Sequence, residues 1–302
     1  MQPCGFAVVY VFMKSRCALV GLWFFAGSAF AQIQVELKFP RLQFIAYEPV
    51  VANFTITNLT GRDVDLRDRG GQPWFGFEVS GGEGQSIPQI SNATSEPLSL
   101  RVGQRVTRKI NLTPLYGIHD FGTYRVRAHI YFGQLNKFFY SSTKVFEVTD
   151  ARPIWQKTVG VPQDGDASGN VRTYSLMTNR FPDHTSLYVR VEDKDRGMVY
   201  ATYSLGQIIA SDQPQAVFDQ SNQLHVLYCA APRMWSYSRV GLNGELVSRA
   251  SFSETKNRPR LVHSNDGVIK VAGGMMDTPA TQAARNNAPK LSARPPNPPK
   301  DE

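Results

Sequence analysis

Cysteine is almost missing from this chain: Cys4, Cys17 and Cys229 are the only three in 302 residues. The first two fall in an N-terminal apolar segment read below as cleaved, which leaves Cys229 alone and excludes an intramolecular disulfide. Packing must then hold the protein together, as a core of this chain length can. A single such cysteine reads as a small buried hydrophobe rather than a nucleophile. Metal-site patterns are lacking too. His119, His129, His184, His225 and His263 show no His-x-x-x-His spacing and have no cysteine pair to complete a site, so neither a metal nor a cofactor is expected. There is no Gly-x-Ser-x-Gly elbow and no phosphate loop, and no catalytic residue is assigned. Glu192, Asp193 and Asp195 in VEDKDRG offer too few oxygen ligands for a calcium loop and read as a solvated hairpin tip.

Concentrated charge is also absent. The formal net charge is +8, but residues 32–149 carry 13 basic and 10 acidic side chains and residues 150–276 carry 14 and 12. A nucleic-acid binder gathers its basic residues on one face, so no nucleic-acid partner is expected. The densest group, Arg101, Arg105, Arg108 and Lys109 in LRVGQRVTRKINL, has the spacing of a solvated strand face.

Long apolar runs occur only at the start. Lys14 and Arg16 precede CALVGLWFFAGSAFA, which ends in small residues at Ala29-Phe30-Ala31. This is the layout of an export signal over residues 1–31, cleaved before Gln32, with Met13 an alternative start. The 15 residues between Arg16 and Gln32 fall short of the roughly 20 that a spanning helix needs. The expected mature chain is exported, periplasmic or extracellular, with no transmembrane helix. Residues 277–302 hold six prolines and end ARPPNPPKDE, too poor in large apolar residues to offset ordering entropy; they read as a disordered Pro-rich tail.

Between the ends, the pattern is β throughout. Over residues 32–149 apolar residues alternate and turn residues punctuate them, which predicts an all-β sandwich. Ala52, Phe54 and Ile56 share one strand face, as do Phe75, Phe77 and Val79, then Val106, Ile110 and Leu112, and finally Phe146 and Val148 on a strand read as the sheet edge. Trp74 is out of phase with its strand. In HDFGTYRVRAHIYF, Asp120-x-Gly122-x-Tyr124-x-Val126 follows a strand ending in Ile-x-Leu, and Arg125, Arg127 and His129 point outward. This stretch resembles the tyrosine corner of immunoglobulin-like sandwiches, which implies that the Tyr124 hydroxyl bonds to upstream backbone and fixes a crossover between sheets. Val126 stands where antibody-type domains carry their second cysteine. Fibronectin-like and macroglobulin-like sandwiches remain open.

Residues 150–276 form a second region. ARPIWQKTVGVPQDGDASGN, interrupted by Pro153 and Pro162, reads as a connection. QPQAVFDQSNQLHVL (213–227) matches RPRLVHSNDGVIKVA (258–272) at an offset of 45 residues, and LYVRV aligns more weakly with LHVLY. The segments between them read as hairpins turning at Gly206 and at Asn243-Gly244. One unit of four short strands resembles a β-propeller blade, similar to repeats of sialidase-like exported propellers. The region holds too few units to close a ring, so the expectation is a blade-like β-meander, an incomplete propeller or a second sandwich.

The expected function is non-enzymatic: binding or scaffolding at the cell envelope or outside the cell, with a protein or carbohydrate partner. Trp235 and Tyr237 alternate on one strand, as either core or a stacking surface for a sugar. The alternatives are a carbohydrate-active, sialidase-like enzyme using Asp219, Glu245 or Tyr237, and a subunit completed by strand pairing with a partner. Asn53, Asn58, Asn92 and Asn111 begin Asn-x-Ser/Thr triplets, which matter only in a glycosylating host.

Overall fold

The computed structural model describes residues 33–91, 96–161, 171–264 and 267–278. The expected export signal, Asn92, the DGDASGN loop and all but the first two residues of the Pro-rich tail lie outside the described residues. The protein is almost entirely β, in several sheets, none closed into a barrel. Among the described residues, no helix is long and apolar enough to cross a membrane.

The first part of the chain runs β1 (Ile33–Lys38), β2 (Gln43–Ile45), β3 (Val51–Asn58), β4 (Val64–Leu66), β5 (Phe75–Ser80), β6 (Ser86–Ile87), β7 (Leu98–Leu100), β8 (Arg105–Asn111), α1 (Thr113–Tyr116), β9 (Gly122–Phe132), β10 (Lys137–Tyr140) and β11 (Lys144–Thr149). One sheet has the order β1-β3-β8; a second has the order β2-β11-β9-β5-β6, with β10 also on β9; β4 and β7 form a separate pair. Alternation decides which residues go inside. Ala52, Phe54 and Ile56 of β3 meet Phe75, Phe77, Val126, Ala128 and Ile130 of the second sheet in one core. The Phe54 ring stacks on Phe75 at 5.7 Å and meets Phe77 edge-on at 5.8 Å. Each buried phenylalanine contributes about 1.5–3 kcal/mol.

Tyr124 occupies the first inward position of β9. Its ring stacks on Phe146 at 5.4 Å, and its hydroxyl donates to the Asp120 carbonyl at 2.9 Å. Burial, with the Asp120 charge adding to it, pushes the phenol up from its usual pKa, so the hydroxyl remains a donor. Tyr124→Phe keeps the ring and deletes this bond, and is expected to cost ~1 kcal/mol in urea unfolding. An unchanged midpoint would mean that the ring alone secures the start of β9.

Three features depart from the sequence pattern. The strand at residues 144–149 is not the edge: β2 pairs with it in parallel, Val148 opposite Phe44, and takes the outer place. Trp74, out of phase, is nonetheless fully buried just ahead of β5, beneath the Arg108 guanidinium. His129 does lie on the outward face, but it is half-buried between Phe138 and Tyr140, and that burial lowers its pKa.

The second part runs β12 (Arg152–Gly160), β13 (Val171–Arg180), β14 (Thr185–Asp193), β15 (Met198–Gln207), β16 (Gln215–Phe218), β17 (Leu224–Ala231), β18 (Met234–Val240), β19 (Leu246–Ser253), β20 (Arg260–His263), β21 (Ile269–Ala272) and β22 (Met275–Met276). β12-β13-β14-β15 is a four-stranded antiparallel meander; β16-β17-β18-β19 is another, with β22 added at its edge; β20 and β21 form a hairpin. Tyr174, Leu187 and Val189 of the first meander pack on Val226 and Tyr228 of the second. The opposite face of the second meander, through Leu227, Trp235 and Phe252, meets Leu261 and Val271 of the hairpin. The result is three layers. β20 and β21 start 45 residues after β16 and β17, so the repeat read in the sequence is a repeat of hairpins.

The supposed connection at 152–160 is instead the edge strand β12. Pro153 is tolerated there because it sits beside a bulge between Pro153 and Trp155, where a missing N–H costs least. The turn at Asn243-Gly244 exists, but Gly206 lies inside β15. Its φ is +133°, and a Cβ there would meet the Tyr228 hydroxyl at 2.9 Å, so glycine is required for that tyrosine to reach the Leu205 carbonyl. Nor is Asp193 a solvated tip residue. It is buried, accepts from Arg172 at 3.4 Å, and caps its own turn at the Arg196 amide.

The two parts meet through Ile45, Ala151, Met177 and Tyr188. Beside this contact Arg41 donates to the Tyr188 hydroxyl at 2.5 Å and pairs with Glu48, whose second oxygen accepts the Ile45 amide at 3.1 Å. Arg190 reaches across to the Ala46 carbonyl at 2.8 Å.

Candidate functional site

Of the residues weighed as catalytic, two come together through a third. Asp219 sits in the β16–β17 turn, where it accepts the Ser221 and Gln223 amides at 2.9 Å each. Its other oxygen meets His225 Nε2 at 3.0 Å, and His225 Nδ1 meets the Tyr237 hydroxyl at 2.8 Å. Burial pushes the Asp219 carboxyl up, but the His225 bond and the two amides outweigh it and hold the pKa below the usual range. An ionised Asp219 accepts a hydrogen bond from the Nε2–H of His225, leaving Nδ1 to accept from the phenol. Burial raises the Tyr237 pKa. This carboxylate–imidazole–phenol line has the parts of a proton relay, yet His225 is only 3% exposed. Glu245 is not part of it: its Oε2 accepts the Asn243 amide at 3.1 Å, closing the β18–β19 turn. Among the described residues, no second carboxylate is bonded into this line, and its bonds satisfy both ring nitrogens of the buried imidazole.

Trp235 is no stacking platform. It is 2% exposed, donates from Nε1 to Glu254 at 3.1 Å, and lies under the Arg258 guanidinium at 4.4 Å. That same Arg258 marks the open surface. Asp212, Gln213, Gln215, Trp235, Lys256 and Arg260 line a cleft of about 720 Å³ around it. A second cleft of about 780 Å³ shares Asp212 and Gln213 with the first and continues past Arg152, Trp155, Asn179 and Arg180. The two make one groove along an end of the layered strands.

The centre of the groove is fixed. The Ile209 amide donates to the Cys229 carbonyl at 2.9 Å and the Asp212 amide to the Ile209 carbonyl at 2.9 Å, which holds the turn that carries Asp212. Asp212 pairs with Arg258, and Arg258 rests on Trp235. Cys229 lies buried beside it, its thiol pushed up by burial and then by the Asp212 charge, so it is a poor nucleophile. Lys256 and Arg260 on one lip, and Arg152 and Arg180 on the other, have no ion-pair partner among the described residues. The alternation of basic residues in KNRPR went unread as a signal for the first lip. Nothing local to Arg152 or Arg180 signalled the second, because the fold brings them there.

The remaining candidates are dispersed. His119 and His184 each pair with a neighbouring exposed aspartate, and His263 ends β20 at the surface. Among the described residues, no group of three or more His, Cys, Asp or Glu could hold a metal ion. Asn58 is fully buried, its amide donating to the Arg62, Leu100 and Arg101 carbonyls, which excludes it from glycosylation. Asn53 lies within β3 and Asn111 ends β8. No protein-family model matches the chain, and no curated protein matches it.

Proposed function

We propose that this is an exported, non-enzymatic binding protein of the cell envelope or extracellular space, an immunoglobulin-like sandwich joined to a blade-like stack of strands. The Tyr124–Asp120 bond supports the first description and the repeated hairpin supports the second. One observation carries the function: the open, preorganised groove holds unpaired basic side chains, while the groups suited to acid–base chemistry are sequestered elsewhere. Unpaired cationic side chains around an open cleft suit it to hold an anionic ligand.

The test is retention on immobilised envelope extract. The Lys256→Ala/Arg260→Ala double variant, both changes at the exposed lip, is expected to lose most of the retention shown by the wild type while keeping its thermal midpoint. Equal retention would remove the groove as the contact surface. Hydrolysis of chromogenic glycosides that vanishes on Asp219→Asn would replace the binding reading with an enzymatic one.

A further inference from the structure

We infer that the groove takes an acidic oligosaccharide, a run of sugar rings bearing carboxylates; this rests on the groove being the binding surface proposed above. Charge is the first reason. Five basic residues, Arg152, Arg180, Lys256, Arg258 and Arg260, face two acids, Asp150 and Asp212. Asp212 is taken by Arg258, and Asp150 accepts the Ala151 amide at 2.9 Å. Asp150 keeps its negative charge, so the two acids offset two of the five basic charges and the groove presents a net positive surface to an anion.

The charges are also spread out. Lys256, Arg258 and Arg260 occupy alternate positions along the bend that leads into β20. Arg152 and Arg180 stand at the far cleft. Such a row matches repeated charges along an extended ligand better than a single compact anion.

The lining of the second cleft points the same way. Pro153, Ile154, Trp155, Ile208 and Pro214 line the same cleft, giving apolar surface beside polar edges. A pyranose ring has that division between its faces and its rim. An acidic peptide fits less well, since each of its backbone N–H groups needs an acceptor and the ionisable lining is mostly cationic.

The experiment is titration calorimetry of the full chain with oligosaccharides of galacturonate, alginate and hyaluronan, the methyl ester of the galacturonate oligomer, and polyglutamate. At least one acidic oligosaccharide is expected to bind, more weakly as salt rises, and for the galacturonate oligomer esterification should reduce affinity at least tenfold. Lys256→Ala/Arg260→Ala and Arg152→Ala/Arg180→Ala should each weaken binding about tenfold. If polyglutamate binds as tightly as any uronate and responds to the same variants, the groove remains the binding surface and the sugar assignment falls. If no acidic oligosaccharide binds while groove-dependent retention on envelope extract persists, the sugar assignment falls alone. If that retention is also insensitive to the lip variants, both readings fall.

Discussion

Arg41→Ala is expected to destabilise the protein by about 3–5 kcal/mol at neutral pH, the range for a buried carboxylate deprived of its partner. Glu48 is 4% exposed where the two parts of the chain meet, and Arg41 both pairs with it and donates to Tyr188. Burial pushes the Glu48 pKa above its usual value even though the Arg41 charge pulls it down. A carboxyl whose pKa is raised by folding favours the folded state while protonated and loses that contribution as pH rises through the raised value. Without Arg41 the rise should be larger. The deficit of the variant should therefore be greatest at neutral to alkaline pH and shrink as the pH is lowered and Glu48 takes up a proton. Urea unfolding of wild type and variant at acidic and neutral pH measures this. A deficit independent of pH would show that Arg41 acts through packing on Phe44 and Phe181 instead. Arg41→Met combined with Glu48→Leu removes both charges and should recover most of the loss, because apolar replacement of a buried pair is often neutral.

Trp235→Ala should cost a further large amount, about 3–5 kcal/mol, the usual range for truncating a buried aromatic. The indole joins β18 to the β20–β21 hairpin through the cluster it shares with Leu261 and Val271, and it supports Arg258 from below. The predicted signature is double: a lowered thermal midpoint by far-ultraviolet circular dichroism, and weakened ligand binding at temperatures where the variant is still folded. Trp235→Phe keeps an aromatic surface for Arg258 but loses the bond to Glu254, so affinity should suffer less than stability. A loss below ~1 kcal/mol for the alanine variant, against the usual cost of such a truncation, would mean that the hairpin docks without the indole.

The strand faces that make the two cores were legible because each has one buried side, and period-two alternation records it directly. Ala52, Phe54 and Ile56 were readable for this reason, as were Phe75, Phe77 and Val79. β4 and β10 were not: Val64–Leu66 is too short to establish a period, and in Lys137–Tyr140 two adjacent phenylalanines mask which side is inward. β12 was hidden by Pro153, since a proline argues against pairing unless the strand lies at an edge, and edge position is a property of the assembled sheet. The site was less legible than the fold. Asp219 and Tyr237 were named from chemistry, but the imidazole that links them is contributed by register, His225 lying between its neighbours β16 and β18. The groove draws on residues from 150 to 273, and no local pattern encodes such convergence.

The paired glycines that follow β21 decide where the chain goes after the hairpin. Gly273 and Gly274 adopt φ of +81° and +69°, and a Cβ on either would strike backbone at 2.7 or 2.9 Å, so a side chain is barred from both positions. Their turn sends the chain back to the rim of the preceding sheet, where a strand of two residues occupies the edge. The glycine pair thus commits the chain after β21 to capping the neighbouring sheet at β19 instead of adding a third strand to its own hairpin.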